Sequence, residues 1–124
     1  MNVVDSSGWL EYFADGPNAA FFAPPIEATR ALLVPTLSLY EVFKRVLQQR
    51  GEGPALQAIA LMQQGQVVDL TAAIALSAAK ASIERRLPMA DSIMLVTAQT
   101  EGATFWTQDA EFEGFESVRY VERK

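Results

Sequence analysis

The sequence predicts a three-layer α/β/α sandwich built on a mainly parallel sheet of four or five strands. Three observations predict it: short apolar runs alternate with longer segments of helical periodicity, Gly and Pro punctuate the junctions, and the connections are short. The alternation matters most, because a strand followed by a helix returns to the sheet in the same direction. At 124 residues the chain reads as one domain, residues 1–124, long enough to bury a core without disulfides or a structural metal.

Residues 1–4 form the first strand candidate, closed by Asp5-Ser-Ser-Gly8. Trp9, Leu10 and Phe13 then recur at helical spacing until Gly16-Pro17 stops the helix. Residues 18–30 read as a less regular helical stretch interrupted by Pro24-Pro25. Residues 32–34 make a second strand, ended by Pro35. The clearest helix follows, with Leu39, Val42, Phe43, Val46 and Leu47 on one face and Gly51 and Gly53 after it. Pro54 suits the start of another helix reaching about residue 64, and Val67-Val68 is a third strand. Thr71 caps an alanine-rich helix to about residue 86, where Leu87-Pro88 breaks the chain. A last helix spans about residues 90–101 with Gly102 closing it, and residues 104–106 and 118–121 supply two further strands.

Composition removes whole classes of chemistry. The chain has no cysteine and no histidine, so thiolate nucleophiles, zinc–thiolate sites, Ser-His-Asp and Cys-His catalysis and every histidine metal site are excluded. An enzyme made from the remaining residues works with carboxylates, hydroxyls, Lys, Arg and Tyr, and with an ion that carboxylates hold. Oxygen-only ligands suit hard cations such as Mg²⁺ or Mn²⁺. The net charge of −5 argues against a general nucleic-acid coat, although local Lys and Arg beside a bound cation still permit action on a phosphate backbone. No apolar run is long enough to span a bilayer, and residues 1–4 meet Asp5 without a basic flank, so the expectation is a cytoplasmic protein with no membrane partner.

In α/β sheets ligands bind at the carboxyl ends of the strands. Asp5 follows the first strand and Asp109 the fourth, while Glu41 and Asp91 stand near helix starts. Crowded carboxylates repel one another unless a cation joins them. A divalent cation lowers the pKa of bound water and stabilises charge on phosphate, so a chain without histidine can still hydrolyse a phosphodiester. Each acid has an ordinary reading beside this one. Asp5 can cap the first helix, Ser38-Leu-Tyr-Glu41 matches a capping box, Asp91 favours a helix dipole, and Asp109 suits a turn.

Four blocks add a family resemblance: Val3-Val-Asp-Ser-Ser-Gly-Trp-Leu-Glu-Tyr-Phe13, Val34-Pro-Thr-Leu-Ser-Leu-Tyr-Glu-Val-Phe-Lys-Arg45, Ala90-Asp-Ser-Ile-Met-Leu-Val-Thr-Ala98 and Phe105-Trp-Thr-Gln-Asp-Ala-Glu-Phe112. In this order the chain resembles the PIN-domain family, and within it the VapC-type toxin ribonucleases of toxin–antitoxin pairs. The resemblance implies a metal-dependent endoribonuclease using Mg²⁺ or Mn²⁺. Asp5, Glu41, Asp91 and Asp109 would form its acidic site, leaving a 5′-phosphate and a 3′-hydroxyl on RNA. Ser6 and Thr107 match polar positions beside the first and last aspartates. Glu111 stands where the family often has a further aspartate, and the resemblance gives it an auxiliary role. It also implies a homodimer, inhibited by a small antitoxin protein that carries a DNA-binding domain.

Lys44 and Arg45 lie three and four residues beyond Glu41, where they contact RNA phosphates or pair with Glu41. Arg85-Arg86 reads as a solvated helix end, and Trp9 and Trp106 as packing residues. Phe21-Phe22 reads as a surface facing a partner. Three alternatives stand beside the ribonuclease: a structure-specific DNA nuclease of the same fold, a non-catalytic module acting with a partner as a DNA-binding repressor, and a receiver-like phosphate-accepting domain. The last would want paired acids early in the chain, and Asp5 stands alone there.

Overall fold

Successive residues of a strand point to opposite sides of a sheet, and that alternation divides this molecule into layers. The computed structural model describes residues 1–124. Its strands are β1 (Asn2–Val4), β2 (Leu32–Pro35), β3 (Gln66–Val68), β4 (Thr104–Thr107) and β5 (Val118–Tyr120), paired in parallel throughout in the order β3-β2-β1-β4-β5. Val4, Leu32 and Val34 face one side. There they pack with Trp9 of α1 (Ser6–Phe13), Phe22 and Ile26 of α2 (Ala19–Glu27), Val42 of α3 (Thr36–Arg50) and Met62 of α4 (Glu52–Met62). Val3, Leu33 and Phe105 face the other side, against Met94, Leu95 and Ala98 of α6 (Met89–Thr100). Helix α5 (Ala72–Arg85) lies on α6 through Ile74 and Ala78. The three-layer α/β/α class is therefore as expected, with five strands.

β1 is the middle strand. The chain moves outward from it through β2 and β3, then crosses back to place β4 and β5 on its other side. Strand order thus reverses between β1 and β4, and a crevice opens there at the carboxyl ends. Gly8 brings α1 down onto that point: a Cβ on Gly8 would stand 2.6 Å from Phe22 Cε1 and 2.8 Å from Val4 Cγ1, so only glycine allows this approach.

Local details depart from the expectations in three places. Pro24 and Pro25 lie inside α2 rather than interrupting it; their fixed φ suits a helix, and the lost N–H bonds fall in the last turns of a short one. Helix α3 begins at Thr36, after Pro35, and has no side-chain cap. Ser38 donates instead to Met94 Sδ at 3.2 Å, so the capping box with Glu41 does not form. Phe22 is completely buried and belongs to the core rather than to a partner surface. Thr71 does cap α5, accepting from the Ile74 N–H at 3.2 Å. No helix is long and apolar enough to cross a membrane.

Candidate active site

The backbone fixes Asp5 at the end of β1. Its N–H donates to the Trp106 carbonyl at 2.9 Å, and its carbonyl accepts from Gly8 and Trp9 as α1 begins. The carboxylate makes no capping bond. Oδ2 instead accepts from Thr107 Oγ1 at 2.9 Å and from Ser7 Oγ at 3.3 Å. Only 6% of Asp5 is exposed. That burial pushes its carboxyl up to about 6, against the stabilising Thr107 hydroxyl and with help from the negative charges of Asp109 and Glu41.

Asp91 arrives from the opposite layer, in the first turn of α6 behind Pro88. Its carboxyl is pushed up to about 7, first by burial, then by the charges of Asp5 and Asp109 and by hydrogen bonding with Glu111. The N-terminal end of a helix favours an anion. Burial and repulsion outweigh it here.

Asp109 and Glu111 come from the segment after β4. Thr107 Oγ1 accepts from the Asp109 N–H at 2.9 Å, and Asp109 Oδ1 accepts from the Glu111 N–H at 3.0 Å. The second bond starts a single 3₁₀ turn, Ala110–Phe112. Asp109 is thus a turn residue and a member of the acidic group at once. Carboxylate oxygens of Asp91, Asp109 and Glu111 lie within 4.8 Å of one another.

Glu41, the sixth residue of α3, accepts from Ser6 Oγ at 2.7 Å. Its charge acts on Asp5, but it is not in the tight trio. Of the acids singled out in the sequence, Asp91 and Asp109 fall in that trio, while Asp5 acts on Asp91 by its charge and Glu41 acts on Asp5. Glu111, expected as auxiliary, completes it.

Whether this set fits a cation can be judged from its chemistry. The donors are all carboxylate or hydroxyl oxygens, which suit a hard divalent ion. Burial first, and then the charges of neighbouring acids, push Asp5 up to about 6 and Asp91 up to about 7, so the ionised carboxylates lack compensating positive charge. A divalent cation supplies the missing positive charge. The residues fit.

A cleft of about 490 Å³ adjoins the acids without containing them. Ser7 and Gln108, chain neighbours of the acidic group, line it, and it runs between α1, α3 and α4 past Arg45, Arg50 and Arg123, with Glu11 as its one acid. Arg45 was a sequence candidate, whereas Arg50 and Arg123 were not. They reach the cleft only because α4 folds back on α3 and the C-terminal tail follows β5. The signal for them in the sequence is no more than their charge. Lys44 lies over the Tyr40 ring, 5.7 Å from its centroid, and Arg85 stacks on Phe115 at 5.0 Å. Trp106 packs against Phe21 and Arg119, with Nε1 donating to Asn2 Oδ1 at 2.9 Å.

The sequence model described as PIN domain matches residues 3–117. No curated protein sequence matches the chain. Among solved structures, the chain is similar to one from a toxin–antitoxin complex of Klebsiella pneumoniae, at 19% identity and a TM-score of 0.81, covering 96% of each chain. It is similar to VapC20 of Mycobacterium tuberculosis, described as a sarcin–ricin loop cleaving toxin, at 19% identity and 0.78, covering 96% of this chain and 99% of that one. A third is from VapBC2 of Rickettsia felis bound to a DNA fragment from its promoter, at 12% identity and 0.76, covering 98% and 97%. At these identities the likeness shows the fold.

Proposed function

The chain belongs to the PIN domain family, and from that premise we propose that it is a metal-dependent endoribonuclease, the toxin of a toxin–antitoxin pair. The observation that carries this reading is the gathering of acids from four separate segments at the strand-order reversal, with three carboxylates within 4.8 Å of one another. Asp91, Asp109 and Glu111 would hold Mg²⁺ or Mn²⁺ together with Asp5, whose charge bears on Asp91, and with Glu41 at its margin. When bound, such an ion supplies Lewis acidity toward the scissile phosphate and the attacking water.

The remaining work falls to the chain's own groups. Thr107 holds the Asp5 carboxylate in one orientation through its hydroxyl, and fixes Asp109 by accepting its N–H. Ser6 keeps Glu41 turned toward Asp5. Arg45, Arg50 and Arg123 give the adjoining cleft positive charge for phosphates on either side of the scissile bond. The exposed Lys44, one residue before Arg45, is a further phosphate contact. The VapBC relatives support a small antitoxin with a DNA-binding domain as the partner. A homodimer acting in the cytoplasm, each protomer a single PIN domain, completes the proposal. The Rickettsia complex on promoter DNA also favours a second role, repression of transcription together with the antitoxin.

The test is cleavage of a structured RNA by purified protein. With Mn²⁺ or Mg²⁺, internal cuts bearing 5′-phosphate and 3′-hydroxyl ends are expected, and EDTA is expected to abolish them. Cleavage that persists in EDTA would reject the mechanism.

A further inference from the structure

Gln108 sits between Thr107 and Asp109 in sequence but turns away from both. It is 3% exposed, and its partners lie in the α1–α4 layer. Its Oε1 accepts from Asn18 Nδ2 at 3.0 Å, and its Nε2 donates to the Ser7 carbonyl at 3.4 Å. Asn18 is 2% exposed. It also donates through Nδ2 to the Glu122 carbonyl at 3.1 Å, and its backbone N–H donates to Glu11 Oε2 at 2.7 Å.

We propose that the buried Asn18–Gln108 amide pair is a clasp that positions Thr107 and Asp109 against Asp5, and so sets the affinity of the acidic site for its cation. This rests on the reading of that site given above. Four elements meet at the pair: the start of α1 beside Asp5, the turn before α2, the segment after β4, and the C-terminal tail. Apolar side chains in the same space would bury as much surface but would not fix direction. Hydrogen bonds are directional, and a satisfied buried network selects one arrangement of the segments that it joins. The arrangement selected here holds the Thr107 hydroxyl 2.9 Å from Asp5 Oδ2 and 2.9 Å from the Asp109 nitrogen. Gln108 and Asn18 touch none of the acids of the trio. They are positioning residues.

The variant Gln108→Met keeps side-chain length and removes both amide bonds. Two readouts are needed: hydrogen exchange of the Asp109 amide in the metal-free protein, and the Mn²⁺ dissociation constant by calorimetry. Faster Asp109 exchange and Mn²⁺ binding weakened about tenfold or more are expected, as for partners that orient metal ligands. Ile74→Ala, in the α5–α6 layer, serves as a destabilised control and should leave the Mn²⁺ constant unchanged. Unaltered Asp109 protection in Gln108→Met overturns the clasp, as does an equal loss of Mn²⁺ affinity in the control. Wild-type protein that takes up no Mn²⁺ overturns the functional reading, while the exchange result still decides whether the pair holds Asp109.

Discussion

Asp5→Asn is expected to lower RNA cleavage at least about a hundredfold, because several kcal/mol of charge stabilisation depend on the ion that Asp5 helps to hold. The same change is expected to make the metal-free protein more stable. A buried carboxylate beside Asp109 and Glu41 costs free energy when charged. Asparagine keeps the acceptor that Thr107 needs, fills nearly the same volume and carries no charge. At neutral pH the gain is about 1–3 kcal/mol, read as a higher urea or thermal midpoint in EDTA. A carboxylate serving structure would behave in the opposite way, its removal costing stability and leaving activity intact. Full activity in Asp5→Asn, or a lower midpoint, would contradict the assignment.

The second large effect is a pH dependence opposite to that of ordinary acid unfolding. Asp5 and Asp91 are raised from 3.8 to about 6 and about 7 in the folded chain. Between about 4 and 7 the folded state therefore keeps protons that the unfolded state has released. Stability of the metal-free protein then falls as pH rises through that window. Asp5 alone accounts for about 3 kcal/mol of this fall. Asp91 adds less than its larger shift implies, since it is partly exposed to solvent and part of its rise is the same repulsion with Asp5. Saturating Mg²⁺ is expected to flatten or reverse the slope, because an ion that binds only the folded, ionised site stabilises it more as protons leave. Urea titrations with EDTA and with Mg²⁺, from near pH 4 to near pH 7, measure both curves. A metal-free stability that rises across this range would contradict the burial and repulsion described for the two carboxyls.

The fold was legible because its signals are local. Val3 and Val4 alternate between the two faces as a short strand should, Thr71 announces α5, and the β–α succession points to parallel pairing. The acids after β1 and β4 were legible for the same reason: strand ends can be read, and sites lie at strand ends. What could not be read depends on contacts distant in sequence. Ser38 looks like a helix cap, but its hydroxyl points to Met94, 56 residues away. Glu41 looks like its capping-box partner, yet takes its hydrogen bond from Ser6, 35 residues away. The Asn18–Gln108 bond spans 90 residues, and nothing near Asn18 marks it as part of the site. Glu111 is an intermediate case: the spacing from Asp109 was visible, but its approach to Asp91 depends on the turn that Asp109 itself nucleates.

The central claim is that these carboxylates share one hard cation. Crystals of the protein soaked in Mn²⁺ and measured for anomalous scattering test it directly. The expected map has a manganese peak bounded by the carboxylates of Asp5, Asp91, Asp109 and Glu111, at about 2.0–2.2 Å from the nearest of their oxygens. A map with no peak among these residues, at a concentration that saturates cleavage, would contradict it.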